Sequence, residues 1–375
     1  MTLPYVYLDY NATAPVRPDV ISAMSETLSR VGNPSSVHRP GRAARAAVEQ
    51  ARAQVAGLVG CKPSEIVFTS GGSESNAAAL TRTGAARLVI SAVEHDSIAD
   101  TAAGSGLPVT TVAVDHDGVI DLAALEAVLS GFPRDGGTLV SVMVANNETG
   151  VAQPVAAVAA LVRRMGARLH CDAVQAAGKI ALSFEDMDAD CLSLSAHKLG
   201  GPQGVGALVV REVCALTPLV RGGGQEQGRR SGTENVPGIV GFGVAAQAAV
   251  SLQDALAPLR DAWERRVMAE APEAVIVAGS AARLPNTSCV GLPGTPSETQ
   301  VMALDLAGVG VSAGAACSSG KVRASRVLSA MGFDARIAGS AIRVSLGWAT
   351  TARDMDRLFD AWSAMRARMA RRKAG

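Results

Sequence analysis

Lys198 stands in Ser195-Ala-His-Lys-Leu-Gly-Gly-Pro202, directly after the apolar run 191–195. An amine at a strand end can form a Schiff base with an aldehyde cofactor, provided that a phosphate and a ring are held nearby. Ser195 and His197 are donors of the right kind. On its own, Lys198 reads more simply as a surface lysine in a turn, so the case rests on its company. Thr69-Ser-Gly-Gly-Ser-Glu-Ser75 joins an apolar run to a helical stretch. Its glycines let backbone approach an anion, a helix start offers free N–H groups, and Ser73 adds a hydroxyl. It has neither the GxxxxGK[ST] nor the GxGxxG pattern, and an ordinary capped turn explains it about as well.

Four further segments carry polar residues after apolar runs. Arg168-Leu-His-Cys-Asp-Ala-Val-Gln175 places Asp172 where a carboxylate can keep a pyridinium nitrogen protonated, with Gln175 three residues on. The other reading of Asp172 is a helix cap. Ala145-Asn-Asn-Glu-Thr-Gly150 offers Asn147 as a donor to a ring oxygen and a carboxylate, or simply a polar turn. Val93-Glu-His-Asp96 offers His95 for stacking and proton transfer near neutral pH, or a satisfied histidine at a helix start. Cys317 lies among small residues in Val311-Ser-Ala-Gly-Ala-Ala-Cys-Ser-Ser-Gly320, a setting that favours reactivity over inert packing. Arg343, inside the apolar run 341–346, calls for an anion: a substrate carboxylate or a structural ion-pair partner.

The elements that must position these residues follow from periodicity. Strand-like runs at 66–69, 87–91, 109–114, 139–145, 168–171, 191–195 and 207–210 alternate with helical stretches such as 42–59, 73–83 and 155–165. That alternation predicts an α/β domain around a mainly parallel, covered sheet. Ligands in such folds sit at the carboxyl ends of strands, where these polar segments fall. After about Val250 the pattern changes to a helix over 257–269, strands near 275–277 and 287–290, a helix over 298–307, a strand over 341–346 and a last helix over 352–371. This reads as a smaller α+β domain. The expected division is 15–252 for the large domain, and 1–14 with 253–375 for the small one carrying the Cys317 loop. The tail from Met365 reads as a solvated helix end.

Bulk properties narrow the function. With 48% hydrophobic and 18% charged residues, the chain is a folded globular protein. Its net charge of +1 offers no broad basic field for nucleic acid or an anionic membrane. The opening residues lack a signal-peptide pattern, and no apolar run reaches membrane-spanning length. The six cysteines, Cys61, Cys171, Cys191, Cys214, Cys289 and Cys317, form no CxxC pair. Disulfides and structural zinc are therefore not expected, and a cytoplasmic location is.

Singly these segments are weak; together and in order they are specific. The chain resembles the cysteine desulfurase family, fold-type-I pyridoxal phosphate (PLP) enzymes related to class V aminotransferases. The resemblance runs from Tyr7-Leu-Asp-Tyr-Asn-Ala-Thr-Ala14 to Arg343-Val-Ser-Leu-Gly347. It includes Gly32-Asn-Pro-Ser-Ser36, Glu94-His95, Asn146-Asn-Glu-Thr-Gly150, Asp172-Ala-Val-Gln175, His197-Lys198 and Arg229-Arg-Ser-Gly-Thr-Glu-Asn235. The ACSSG segment around Cys317 is similar to the nitrogenase and general iron–sulfur cluster assembly form. The resemblance departs at Lys321-Val-Arg-Ala-Ser325, where many relatives have a Leu-Glu-Pro-Ser-type run.

The resemblance implies a PLP-dependent transferase fold with a seven-stranded-type sheet. It implies Lys198 as the Schiff-base lysine, Cys317 as sulfur-accepting nucleophile and His95 as stacking acid–base residue. Asp172 would partner the ring nitrogen, Gln175 and Asn147 the ring oxygen, and Gly72, Ser73, Ser195 and His197 the phosphate. Thr233 would reach the phosphate of a neighbouring subunit, which makes the active unit a homodimer. Arg343, Asn147 and nearby Asn11 would take the carboxylate of L-cysteine. The products implied are L-alanine and a Cys317 persulfide, passed to an acceptor or cluster scaffold. No resident metal is implied, only a transient iron–sulfur contact through Cys317. Two other readings stay open. One is a related aminotransferase or selenocysteine lyase that makes no persulfide. The other is a non-enzymatic sulfur-relay protein, against which the intact Lys198, Asp172, His95 and Cys317 set argues.

Overall fold

Runs of Val, Ile and Leu bounded by glycine and polar turns build the central sheet. A computed structural model describes residues 5–249, 256–314 and 325–374. In chain order the sheet's strands are β1 (Ile66–Thr69), β2 (Arg87–Ser91), β3 (Val109–Val112), β4 (Thr138–Met143), β5 (Arg168–Asp172), β6 (Cys191–Ser195) and β7 (Gly206–Val210). Across the sheet they lie β1-β7-β6-β5-β4-β2-β3. Only β7 runs against its neighbours; the other pairs are parallel. Residues of β1, β4, β6 and β7 are buried throughout, as expected for a sheet covered on both faces.

Three runs match their expected bounds: β1, β2 and β6. Two stop short of them. Val114 leaves β3 to bridge Ile120, and Ala145 leaves β4 to bridge Ala152. Both are apolar, so composition extends the run, but the ladder has ended. The helix expected from residue 42 begins at Arg39, with Pro40 in its first turn and the His38 side chain accepting from the Gly41 N–H.

A second sheet lies in the remaining chain. Its order is Ser312–Ala313, Ala341–Ser345, Thr287–Gly291 and Val275–Ile276, all antiparallel. The N-terminal strand Val6–Tyr7 pairs in parallel with Val309–Gly310, and Asp9 bridges Ser345. Leu8, Trp263, Ile342, Val344, Leu346, Leu358, Trp362 and Met365 share one buried core here. The tail expectation is therefore corrected at Met365: its apolar side chain is buried, and the last helix runs from Ala352 to Ala374. The division between 252 and 253 lies outside the described residues. Among those described, no helix is long and apolar enough to cross a membrane.

Gly206 opens β7, paired with Thr69 at the end of β1 and Ser195 at the end of β6. A Cβ there would lie 2.6 Å from the Leu194 carbonyl oxygen and 2.7 Å from the Gly71 carbonyl carbon, both backbone atoms. Gly206→Ala should therefore cost about 3 kcal/mol through overpacking. Gly104, at a helix end with nothing near its Cβ position, is the control: Gly104→Ala should be neutral or stabilise by up to about 1 kcal/mol. Urea midpoints measure both. Equal midpoints would mean that backbone contact at Gly206 is not limiting.

Candidate active site

The carboxyl ends of β1, β2, β4, β5 and β6 share one edge of the sheet, and the polar segments emerge there. Parallel pairing brings Ser91, Met143, Asp172 and Ser195 to that edge, and the two antiparallel pairings of β7 bring Thr69 there. The turn after β1 leads into the helix Gly72–Arg82. A Cβ on Gly72 would sit 2.8 Å from Val174 Cγ2 and 3.6 Å from Ser195 Cβ. Glycine at 72 thus lets the 69–75 turn lie close to the segments after β5 and β6. Beyond Gly71 the space is open. Glu74 in the first turn accepts from the Ser70 N–H and from Arg230.

Lys198 follows β6 in a short 3-10 turn, Ala196–Lys198. Its Nζ donates to the backbone oxygens of Asn11 at 2.6 Å and Ala12 at 2.7 Å. Burial, reinforced by the positive charge of Arg343, lowers its pKa from 10.5 to about 8. Roughly a tenth is then free amine at pH 7, far more than for an ordinary lysine, and the free amine is the form that attacks an aldehyde. His197 contacts the Thr13 hydroxyl at 3.2 Å. Burial and the Lys198 charge lower its pKa to about 4, so it is a neutral imidazole.

Asp172 ends β5, buried. Its Oδ2 accepts from Asn76 Nδ2 at 2.8 Å and its Oδ1 from the Val174 N–H at 2.9 Å. Asn76 Nδ2 also donates to Ser97 Oγ, which lies 2.9 Å from His95 Nδ1. His95 itself is exposed and caps the helix Asp96–Gly104. The expected cap role of His95 is thus present without excluding the chemical one, because the ring faces solvent while a hydrogen-bond chain links it to Asp172.

The three expected carboxylate residues meet around one backbone carbonyl. The Asn147 oxygen accepts from Arg343 Nη1 at 2.9 Å and from Asn11 Nδ2 at 3.2 Å. Arg343 Nη2 pairs with Asp9 at 2.8 Å. Of the two partners expected for Arg343, its own chain supplies the ion pair. Gln175 donates to the Asn11 oxygen at 2.9 Å. Thr233 is exposed, and among the described residues it forms no hydrogen bond with the other candidates. The segment before it is anchored by a buried ion pair between Arg52 and Glu226 at 2.8 Å, with Glu226 also accepting from the Phe68 N–H of β1. Cys317 lies outside the described residues.

Periodicity missed several polar residues here. Lys179 donates to Asn11 Oδ1 and Gln175 Oε1; its spacing four residues after Gln175 was the available signal. Glu94 is buried with Oε1 accepting from the Met143 N–H and Oε2 unpartnered. Burial pushes its pKa well above the usual carboxyl value. Glu148 accepts from the Ser325 hydroxyl at 2.6 Å, and burial raises its pKa to about 7. Nothing but a polar turn marked it.

Comparison with known proteins gives the same architecture. The family model for aminotransferase class-V matches residues 6–358. A cysteine desulfurase of Cereibacter sphaeroides is 45% identical over 367 residues, covering 95% of this chain and 94% of that protein. A solved NifS-like protein from Rickettsia africae ESF-5 superposes with a TM-score of 0.90 at 34% identity, covering 97% of this chain and 99% of the other. The structure described as SspA in complex with cysteine superposes at 0.79 with 31% identity, over 91% and 98% of the two chains.

The depressed Lys198 pKa sets a measurable pH profile. In cofactor-free protein, trapping of a small aldehyde on Lys198 by cyanoborohydride should rise with pH through a midpoint near 8. An ordinary lysine would titrate about two units higher. Arg343→Gln should move the midpoint upward, since a neighbouring cation that disfavours the ammonium is gone. The unfolded chain binds the Lys198 proton more tightly than the folded one, so this group's contribution to stability rises with pH from about 8 to about 10.4. A trapping midpoint above 10 would refute the assignment.

Proposed function

The chain belongs to the class-V aminotransferase family, in its cysteine desulfurase branch, and from that membership we propose that it binds PLP on Lys198 and moves sulfur from L-cysteine to Cys317. The observation that carries the reading is Lys198: an amine of lowered pKa at a strand end, beside neutral His197 and within electrostatic reach of Asp172. These residues suit the cofactor. The open turn at Gly71, with Gly72, Ser73, Ser195 and His197, supplies donors for a phosphate. Asp172 supplies a buried carboxylate for a ring nitrogen, and Gln175 and Asn147 supply amide N–H groups for a ring oxygen. When bound, PLP supplies an electron sink that makes the substrate's α-proton acidic and its sulfur transferable.

The rest is the work of this chain. Arg343 and the Asn147 side chain hold the substrate carboxylate, with Asn11 close by bonding the Asn147 backbone oxygen, and Asp9 is the anion that substrate must compete with or join. Lys198 and His95 carry protons, His95 from an exposed ring that can move between substrate and solvent. The Cys317 thiolate attacks the substrate sulfur; the carbon–sulfur bond breaks, a proton goes to the carbon, and alanine leaves. In balance, one thiol and one cysteine give one persulfide and one alanine, with no external oxidant. Thr233 completes the phosphate site of a second copy, so the active unit is a homodimer. The large and small domains divide near 252, with the N-terminal 14 residues on the small one. The persulfide passes to an acceptor or cluster scaffold in the cytoplasm, and Cys317 is the point of any transient iron–sulfur contact.

Two measurements test this. Borohydride reduction of the yellow protein should place a pyridoxyl group on the Lys198 peptide, and mass spectrometry after brief exposure to cysteine should place one added sulfur on the Cys317 peptide. Cys317→Ser should keep the cofactor and lose alanine formation. Retained turnover in Cys317→Ser would favour a lyase without persulfide chemistry. Independently, mixing Lys198→Ala with Thr233→Val protein should restore part of the activity, because one site of each mixed dimer carries neither lesion. No recovery in verified heterodimers would refute the shared site.

A further inference from the structure

The chain has only five lysines, Lys62, Lys179, Lys198, Lys321 and Lys373, among 35 lysine and arginine residues. Among the described residues, the exposed Lys62–Glu212 contact is the one lysine–carboxylate ion pair, and the others use arginine. Lys179 is therefore a choice of side chain. It is buried, and its Nζ donates to Asn11 Oδ1 at 2.8 Å and to Gln175 Oε1 at 2.7 Å. Among the described residues no carboxylate pairs with it. Its electrostatic neighbours are Lys198 and Arg343, which with burial lower its pKa well below the usual lysine value.

A lysine amine here donates to the oxygen of two side-chain amides. The Asn11 backbone oxygen can only accept, so the Gln175 NH2 group faces that oxygen and the Gln175 oxygen faces Lys179. Gln175 then turns its NH2 group to the other side. One of those protons goes to the Asn11 backbone oxygen at 2.9 Å; the second is left over. The same Asn11 oxygen accepts from Lys198 at 2.6 Å. Asn11 in turn has its Oδ1 held by Lys179 and by Asn286 Nδ2 at 3.1 Å, so its Nδ2 faces Thr287 Oγ1 and the Asn147 oxygen. A small cavity of about 40 Å³, lined in part by Lys179, Lys198, Tyr10, Asn286 and Trp348, lies behind the two amines.

We propose that Lys179 is a positioning residue that fixes the Gln175 amide with its NH2 group turned toward the cofactor ring. The role toward the ring rests on the PLP reading above; the fixed amide itself does not. Methionine matches the lysine stem without its donors. In cofactor-free Lys179→Met, with glutamine side chains selectively labelled with nitrogen-15, the Gln175 NH2 protons should exchange with solvent at least about ten-fold faster than in wild type. In holoenzyme, Lys179→Met should shift the pH midpoint of the visible cofactor band by about half a unit or more and weaken PLP binding. Both effects should vanish when Lys179→Met is added to Gln175→Met, because the lysine acts through that amide. An effect that instead adds to that of Gln175→Met, or unchanged exchange and midpoint in folded Lys179→Met, overturns the proposal. If Lys179→Met does not fold, Lys179→Gln retains a donor, and the same cycle decides. A wild-type protein with no visible band would remove the cofactor reading, and the amide-exchange result would still decide whether Lys179 fixes the Gln175 amide.

Discussion

Asn11 is the joint on which the site depends. It is almost fully buried, and each of its polar atoms is bonded. Its N–H donates to Ser345 Oγ of the second sheet. Its Nδ2 donates to Thr287 and to the Asn147 oxygen, its Oδ1 accepts from Lys179 and Asn286, and its backbone oxygen accepts from Lys198 and Gln175. The partners come from the second sheet, from Asn286 next to it and from the turns after β4, β5 and β6. Leaving any one of these buried groups unpaired would cost about 1–3 kcal/mol. The N-terminal segment therefore cannot drift without disturbing Lys198. Gly347 keeps it in place from the other side, since a Cβ there would fall inside the Tyr10 ring.

The same joint explains the electrostatics. Lys179, Lys198 and Arg343 converge, and the negative charge that acts on Lys198 comes from Asp9 and Asp172. In a desolvated setting such an excess is relieved by proton loss from the lysines, since arginine keeps its proton. Arg343 keeps its ion pair with Asp9, and Lys198 gives up its proton more readily than an ordinary lysine. A histidine with neutral imidazole, His197, adds no further charge. His170, one strand position before Cys171, is likewise held neutral by burial, at about 4, between Ser141 and Ser193 hydroxyls.

Much of this was legible in the sequence, and the misses have physical causes. Periodicity placed β1, β2 and β6 to the residue because each apolar run ends in a turn. It overran β3 and β4 because Val114 and Ala145 are apolar but leave the ladder. Two-residue strands such as Val6–Tyr7 and Ser312–Ala313 are too short to show a period of two. In the site, residues whose polarity stood out against an apolar run were found: Lys198, Asp172, Arg343. Lys179 was not, because its neighbours Ala176, Ala177, Gly178 and Ile180 read as an ordinary amphipathic turn. Its meaning appears only when the fold brings Asn11 to it from 168 residues away.

The cysteines show how burial sorts chemistry that composition leaves equal. Cys171, Cys191 and Cys289 are buried in strands. Burial pushes the Cys289 thiol up to about 12, and those of Cys171 and Cys191 up as well. Cys61 rises to about 12, chiefly by burial, and Cys214 to about 11, by burial beside Asp190. A thiol with a pKa of 11 or more is almost wholly protonated at neutral pH, and the thiolate is the nucleophile. All five described cysteines are thus poor sulfur acceptors for the same reason that they pack well. A nucleophile for sulfur must instead sit where water or a cation can support its charge. Of the six cysteines only Cys317 has small residues on both sides in sequence, Ala315 and Ala316 before it and Ser318 and Ser319 after it.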